Sequence, residues 1–542
     1  MVNYIIVTGG VISGLGKGIT TASIGKILQI HGYKVTAMKI DPYINCDAGT
    51  LRPTEHGEVW VTEDGGEIDQ DLGHYERFLD IDIPKYHNIT TGQVYGAVID
   101  KERKGKYLGK TVQPIPHVTD EIKQRIRRPS NEAKYDFVIV EIGGTVGDYE
   151  NVLFLEAVRQ MKLEGDKAIY VHVTYVPVLE TLGEAKTKPT QHSVKLLREI
   201  GIQADFIIAR TEKPLDEPRK EKIALFCNVH EDDVISDSDV ENVYGVTVLF
   251  EKQELCDKIL KKLNLRKTHK DIKSWERFLN KVNRLDKEIK IGIIGKYFDI
   301  GSYKLSDSYI SVIEAVKHAA WNNNLCPKIE WIDSKIFEKT PEKIKQLDKV
   351  DGIIVPGGFG LSGMEGKIST IKYAREKKIP YLGLCLGMQL AVVEYSRNIC
   401  KLKDANTVEV DKNTPYPVID FIPEQVKILT ESRYGATMRL GAYPAILKKD
   451  TLIYKLYGKN KVFERHRHRY EVNPKYVEIL EKNGLIFSGR SPDGILMEFM
   501  ELLDHPYIVG TQAHPEFKSR PMKPAPMFDG LLKEAKKRRY KK

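Results

Sequence analysis

Short apolar runs recur along the chain, each stopping on a glycine or a charged residue, and most are followed by a stretch whose apolar positions return at a helical period. Residues 4–10 form the first such run, and residues 19–31 follow it with helical spacing. Residues 35–41, 135–141, 168–173 and 205–210 repeat the arrangement, and a second series opens at Ile289 and includes residues 350–355 and 379–384. Strands that alternate with helices pack as parallel sheets covered on both faces. The pattern therefore predicts an α/β protein with two doubly wound, mainly parallel-sheet domains. From Asn264 to Lys287 the chain turns highly charged, with Trp275, Phe278, Leu279 and Val282 spaced on one helical face. An apolar stripe needs something to pack on, so this stretch reads as an interdomain helix. The expected division is a domain over residues 1–264, a connecting helix over 265–288, a second domain over 289–535 and a basic tail over 536–542.

Chemistry concentrates where strands end. The run Ile379-Pro-Tyr-Leu-Gly-Leu-Cys385-Leu-Gly-Met-Gln389 reads as a buried strand, a turn flanked by Gly383 and Gly387, and a helix that begins at once. A thiol at such an elbow meets the unpaired N–H groups and positive dipole end of a helix, which favour the thiolate. Gly510-Thr-Gln-Ala-His514-Pro-Glu516 offers a base and a carboxylate to orient it, and the loop Gly357-Gly358 after a third strand offers N–H groups for an oxyanion. A lone cysteine after an apolar strand is usually a packed structural thiol, but the three pieces together resemble the class I glutamine amidotransferase signature, which hydrolyses glutamine through a thioester.

Near the start, Gly9-Gly-Val-Ile-Ser13-Gly14-Leu-Gly16-Lys17-Gly18 lies between a strand and a helix, the arrangement in which backbone N–H groups wrap phosphates. It varies the usual spacing, with Val11 at the first glycine position and Gly18 in place of a hydroxyl residue. Lys39 beside Asp41 ends one strand, Glu141 ends another, and Asp69 and Asp71 form a further acidic group. Carboxylates at the ends of parallel strands beside a phosphate loop are where Mg²⁺ is held in nucleotide-processing domains. Lys186-Thr-Lys188-Pro-Thr-Gln191-His192 is a cationic connection suited to a triphosphate, with a solvated face as the bland alternative.

Composition narrows the class. Of 542 residues 41% are hydrophobic and 29% charged, ordinary for a soluble protein. No run approaches the length of a membrane helix, and the chain opens directly on a strand, so a cytoplasmic enzyme without a membrane partner is expected. The six cysteines include no Cys-x-x-Cys pair, so neither a zinc site nor a disulfide framework is indicated. The net charge of +9 comes partly from the tail, read as a solvated end. It carries no nucleic-acid recognition motif and suits polyanionic small molecules equally well.

Six strings, beginning at Val7, Lys39, Asp71, Glu141, Lys186 and Arg465, closely resemble the CTP synthase family, and the likeness extends over nearly the whole chain. The resemblance implies a synthase domain of the P-loop-like, dethiobiotin-synthetase-like kind joined to a class I glutaminase domain. It implies amination of UTP to CTP with ATP and glutamine, through a 4-phosphorylated UTP attacked by channelled ammonia, in pyrimidine nucleotide synthesis. Mg²⁺ accompanies ATP and no organic prosthetic group is implied. A homotetramer, activation by GTP, inhibition by CTP and possible filaments belong to the same expectation. Carried over by motif, Ser13, Lys186, Thr187, Lys188, Pro189, Thr190, Gln191 and Lys222 would bind UTP or CTP, with Asp148, Tyr149 and Glu150 at the inhibitory CTP site. Gly14, Leu15, Gly16, Lys17, Gly18, Ile19, Lys39 and Asp71 would bind ATP, and Asp71 and Glu141 the metal. Gly358, Leu386, Gly387, Met388, Gln389, Glu409 and Arg469 would hold glutamine, Cys385, His514 and Glu516 would form the triad, and His117 would lie near an ammonia gate. Two departures stand out: Ser362 replaces an arginine that the family associates with GTP, and Pro114 replaces an aliphatic residue. A rival from the same chemistry is another glutamine-dependent synthase, such as a corrinoid-amidating ligase. A regulatory nucleotide-binding protein with a vestigial glutaminase is the non-enzymatic alternative.

Overall fold

The computed structural model describes the whole chain except Met1, residues 180–182, 267–271, 296–298, 301–302, 305, 359–361, 423–436 and 541–542. It forms two compact units: Met1–Asp47 with Asp71–Asn280, and Ala48–Gln70 with Lys281–Lys542. Residues 48–70 of the N-terminal half pack with the C-terminal unit, the stretch expected as a connector is divided between the units at Asn280 and Lys281, and the stretch expected as a tail falls in the second unit.

The first unit is built on a seven-stranded sheet. Its strands are β1 (Asn3–Gly9), β2 (Val35–Asp41), β3 (Asn88–Thr90), β4 (Phe137–Ile142), β5 (Lys167–Tyr175), β6 (Phe206–Thr211) and β7 (Val234–Ser238), in the order β7-β6-β5-β1-β4-β2-β3. Every pairing is parallel. All seven residues of β1 are buried, as a central strand covered by helices on both faces requires. Helix α1 (Lys17–Ile30) follows β1, and α2 (Asp71–Leu79) packs against it. The polar stretch expected as a loop at residues 186–192 is largely the start of helix α3 (Lys188–Glu199). Pro189 stands in its first turn, where the missing N–H costs nothing. The connecting stretch is helix α4 (Lys273–Val282), and its buried Trp275 donates to the Tyr244 carbonyl at 3.0 Å and lies edge-on to the Tyr244 ring. Its apolar face therefore packs on the first unit.

The second unit holds a nine-stranded sheet: β8 (Glu288–Gly295), β9 (Cys326–Asp333), β10 (Gly352–Val355), β11 (Tyr381–Leu384), β12 (Arg439–Leu447), β13 (Lys461–His468), β14 (Leu485–Arg490), β15 (Met497–Leu502) and β16 (Ile508–Thr511). The order is β9-β8-β10-β11-β16-β15-β14-β12-β13, parallel across the first five and antiparallel across the rest. The doubly wound part is thus the half that carries the cysteine. A short hairpin, Val59–Val61 with Glu67–Asp69, belongs to this unit and buries Trp60 completely. The described part of the stretch expected as a basic tail is helical, the last turns of helix α6 (Pro526–Tyr540). Phe528, Leu531, Leu532 and Ala535 are buried in the core, and Arg539 pairs with Asp351 at 2.9 Å. No helix among the described residues is long and apolar enough to cross a membrane.

Candidate active site

Cys385 stands between β11 and helix α5 (Leu386–Asn398), in a backbone conformation of φ 49° and ψ −102°. That φ is in the region non-glycine residues rarely occupy, and such strain persists only where the surroundings enforce it. The enforcement is visible: the Cys385 N–H donates to the Thr511 carbonyl at 2.7 Å, and the Gln389 N–H to the Cys385 carbonyl at 3.1 Å. A Cβ on Gly387 would lie 2.1 Å from the Val355 oxygen, so only glycine lets the turn close.

Strand pairing brings in the base. β11 and β16 are adjacent, parallel and in register from Tyr381 with Ile508 to Leu384 with Thr511, so their C-terminal ends leave the sheet side by side. Beyond β16 the buried His514 donates its Nδ1–H to Glu516 Oε1 at 2.8 Å. Burial alone would lower the His514 pKa, but the Glu516 carboxylate and the nearby Cys385 thiol reverse this and raise it to about 10. The phenyl ring of Phe517 stacks on the imidazole at 5.4 Å. Gly357 lies two residues beyond the end of β10, the next strand over; a Cβ there would sit 2.7 Å from His514 Cε1.

These groups open on a cavity of about 490 Å³ that belongs wholly to the second unit. Gly357, Gly358, Cys385, Arg467, Arg469, His514 and Glu516 line it, together with Gly49 to Arg52, Tyr309 and Met438. Of the residues expected to hold glutamine, Gly358 and Arg469 face this cavity, and Leu386 and Gly387 open α5 beside the thiol. Met388 is buried against Gly510. Gln389 is also buried, its amide donating to the Tyr470 carbonyl at 3.0 Å and to Gln512 Oε1 at 3.2 Å. Glu409 and Arg469 both act on the Tyr470 hydroxyl, whose pKa burial raises to about 12 with Glu409 adding and Arg469 opposing. Ser362 is exposed just ahead of the helix Met364–Glu376; the neighbouring residues 359–361 lie outside the described part.

Sequence reasoning missed Arg467, Gln512 and the stretch from Gly49. The Arg467 carbonyl lies 3.9 Å from Cys385 Sγ, and its guanidinium pairs with the buried Glu67 at 2.8 Å. Gln512 Nε2 reaches the same sulfur at 3.5 Å. Gln512 stands two residues before His514 in the histidine motif and Arg467 lies in the string that begins at Arg465, so each sat in a motif without an assigned role; nothing local marks the stretch from Gly49.

In the first unit the loop after β1 carries Val11, Gly14 and Gly16 at positive φ, with Gly16 capping α1. Val11 is β-branched, so its φ of 81° is strained, and strain of this kind concentrates at ligand loops. Leu15, Lys17 and Gly18 are buried, Ile19 half-buried, and Ser13 exposed. Lys17 Nζ donates to the Gly144 carbonyl at 2.9 Å, and burial lowers its pKa against the pull of Glu141, Asp71 and Asp148. Lys39 Nζ binds Glu141 Oε1 at 2.9 Å and the Asp71 carboxylate, while the Tyr75 hydroxyl donates to the other Glu141 oxygen. Burial would raise Asp71, but Lys39 leads the charges that hold it below the usual carboxylate range. Neighbouring Asp41 is pushed up to about 6 by burial.

Asp71 and Glu141 therefore converge on the Lys39 ammonium beside the loop that follows β1. Hard oxygen donors, few in number, suit Mg²⁺, which keeps waters and phosphate oxygens in its shell. Among the described residues no group of three or more His, Cys, Asp or Glu is arranged to hold a metal.

Lys186 pairs with Glu184 at 2.6 Å, and Lys222 and Arg219 act on the same carboxylate, so a cationic cluster gathers at the start of α3. Lys188 lies over the Phe226 ring, Thr190 and Gln191 are buried, and Gln191 donates to the Thr187 hydroxyl at 3.1 Å. Asp148 accepts from the Thr145 N–H at 2.8 Å. Tyr149 and Glu150 instead line a separate pocket of about 160 Å³ with Ile44, Tyr95 and Phe154. His117 is half-buried and accepts from the Gln113 N–H at 3.0 Å.

Residues 3–265 match the model described as CTP synthase N-terminus, and residues 304–534 that of glutamine amidotransferase class-I. A CTP synthase of Thermococcus gammatolerans is 55% identical over all of this chain and all of its own, and one of Pyrococcus furiosus is 56% identical over 100% and 99%. One of Methanocaldococcus jannaschii is 54% identical over 98% of each. A solved glutaminase domain of a Trypanosoma brucei CTPS with bound acivicin is 36% identical over 46% of this chain and 94% of that one, with a TM-score of 0.42. With identity above half along its full length and both domain models in place, the chain belongs to the CTP synthase family.

Proposed function

We propose that the two units divide one reaction, with glutamine hydrolysed in the second and UTP aminated in the first. The observation that carries this reading is the Cys385, His514 and Glu516 arrangement at the end of a parallel sheet, in a chain whose other unit has a phosphate loop and converging carboxylates. The enzyme is a glutamine-hydrolysing CTP synthase, an ATP-using ligase of pyrimidine nucleotide synthesis.

The Cys385 thiolate attacks the glutamine amide carbon, and the strained elbow aims the sulfur into the cavity. N–H groups of Gly358 and of the first turn of α5 receive the oxyanion. His514 gives its proton to the departing ammonia and then takes one from the water that cleaves the thioester, releasing glutamate and restoring the thiol. Arg469 and Glu409 supply opposite charges for the α-carboxylate and α-amino groups of glutamine.

In the first unit, O4 of UTP displaces ADP from ATP, and ammonia then displaces phosphate from C4, giving CTP. The loop from Ser13 to Ile19 and Lys17 hold the ATP phosphates, and Lys39 steadies the transferred group. Asp71 and Glu141 would hold Mg²⁺, which neutralises the charge that develops on the phosphates. Lys186, Lys188 and Lys222 receive the UTP triphosphate. GTP as activator, CTP as inhibitor near Asp148 to Glu150, a homotetramer and a cytoplasmic site of action complete the proposal.

The test is CTP formation from UTP, ATP and Mg²⁺ with glutamine or ammonium chloride as donor, each with and without GTP. Product from both donors, with a GTP response confined to glutamine, is expected. The Cys385→Ala enzyme should retain only the ammonium reaction, and loss of both would overturn the division of labour. Absence of CTP from either donor, with glutamine still hydrolysed, would point to a different amination.

A further inference from the structure

The triad accounts for the proton and its orientation, but not for the amide that touches the nucleophile. Gln512 is completely buried, its backbone N–H donates to the Glu498 carbonyl at 3.0 Å, and its side-chain Nε2 lies 3.5 Å from Cys385 Sγ. An amide can present either nitrogen or oxygen to a neighbour, so the direction of this contact has to be argued from its other partners. The Tyr470 carbonyl anchors the chain, because it can only accept. Gln389 must therefore turn its nitrogen toward Tyr470, and the same nitrogen meets the second glutamine at Oε1. With Oε1 of Gln512 receiving that N–H, its own N–H group is left facing the sulfur. Reversing Gln512 would set an oxygen lone pair against the sulfur and two N–H groups against each other.

We propose that Gln512 is a further catalytic residue, donating a hydrogen bond to Cys385 Sγ that favours the thiolate and fixes the rotamer from which it attacks, and that Gln389 is a positioning residue acting through it. A donor to sulfur interacts more strongly with the anion than with the thiol, so it favours the charged form. The Arg467 carbonyl, 3.9 Å from the sulfur, can only accept and serves the protonated thiol. Gln389 thereby spends its amide protons inside the protein, and its part in glutamine binding is indirect.

This inference rests on the glutaminase reading above, and the two fail differently. Glutamine hydrolysis that survives in Cys385→Ala would overturn the reading itself. For the inference, Gln512→Met removes the donor with little change of shape, and Gln512→Glu keeps an acceptor for Gln389 while turning a carboxylate toward the sulfur. The measurements are the rate of Cys385 alkylation by iodoacetamide against pH, read on the labelled peptide, and kcat and KM for glutamine hydrolysis, with the unfolding temperature checking each variant. Gln512→Met should raise the alkylation midpoint by about one pH unit and lower kcat about tenfold, with KM for glutamine within about twofold. Gln512→Glu should move both further and also serves if the Met variant is unfolded. An alkylation midpoint that neither variant moves, or a loss confined to KM, would overturn the assignment.

Discussion

His514 is the residue whose behaviour depends most on its surroundings. Glu516 and the Cys385 thiol lift its pKa from 6.5 to about 10 against burial, so the imidazolium is the resting form at neutral pH. A value raised on folding contributes stability that is complete below about pH 6.5 and is lost as pH rises through about 10. The alkaline limb of glutamine hydrolysis is expected in the same range. Glu516→Gln should bring that limb down toward neutrality and lower kcat at least about tenfold; a pH–rate profile with an unmoved limb would place the proton on another group. Gly357→Ala tests geometry alone. The new methyl would meet His514 Cε1 at 2.7 Å, so glutamine hydrolysis should fall about 100-fold while the unfolding temperature changes little.

Among elements, the hairpin Val59–Val61 with Glu67–Asp69 has a role out of proportion to its size. Trp60 is wholly buried, 4.9 Å from the Phe517 ring and beneath the Arg465 guanidinium, and Phe517 in turn stacks on His514. Glu67 meanwhile holds Arg467, whose carbonyl faces the nucleophile. A segment from the N-terminal half thus supports the wall of the glutaminase cavity. Trp60→Ala should destabilise the second unit by about 3–5 kcal/mol, the usual cost of emptying a large aromatic site. Denaturant unfolding measures this, and a loss below about 1 kcal/mol would mean that the site collapses around the gap.

At the scale of the whole molecule, two separately built centres should be separable by mutation. Asp71 and Glu141 share Lys39 in the first unit, whereas the thiol and its partners lie in the second. Asp71→Asn should therefore abolish CTP formation from either nitrogen donor and leave the alkylation rate of Cys385 unchanged. Removing Mg²⁺ with a chelator should have the same pair of effects. A fall in Cys385 reactivity after either treatment would show that Asp71 and Glu141 also shape the thiol.

Much of this was legible in the residues because it is local. An apolar run followed by a helical period specifies a strand and its helix, glycines at Gly16 and Gly387 mark where backbone must bend or approach closely, and Cys385 at a strand-to-helix junction reads as a candidate nucleophile once the His514 motif and the Gly357-Gly358 loop are set beside it. What the chain could not show locally was decided by packing. The antiparallel half of the second sheet, the capture of Ala48–Gln70 by the C-terminal unit and the ordered basic end of α6 all depend on which distant surface an apolar face finds. The Gln389, Gln512 and Cys385 contacts arise only because β11 and β16 pair in parallel, side by side. Local sequence determines what each segment is; buried area and hydrogen-bond satisfaction between segments far apart in the chain decide which of them meet.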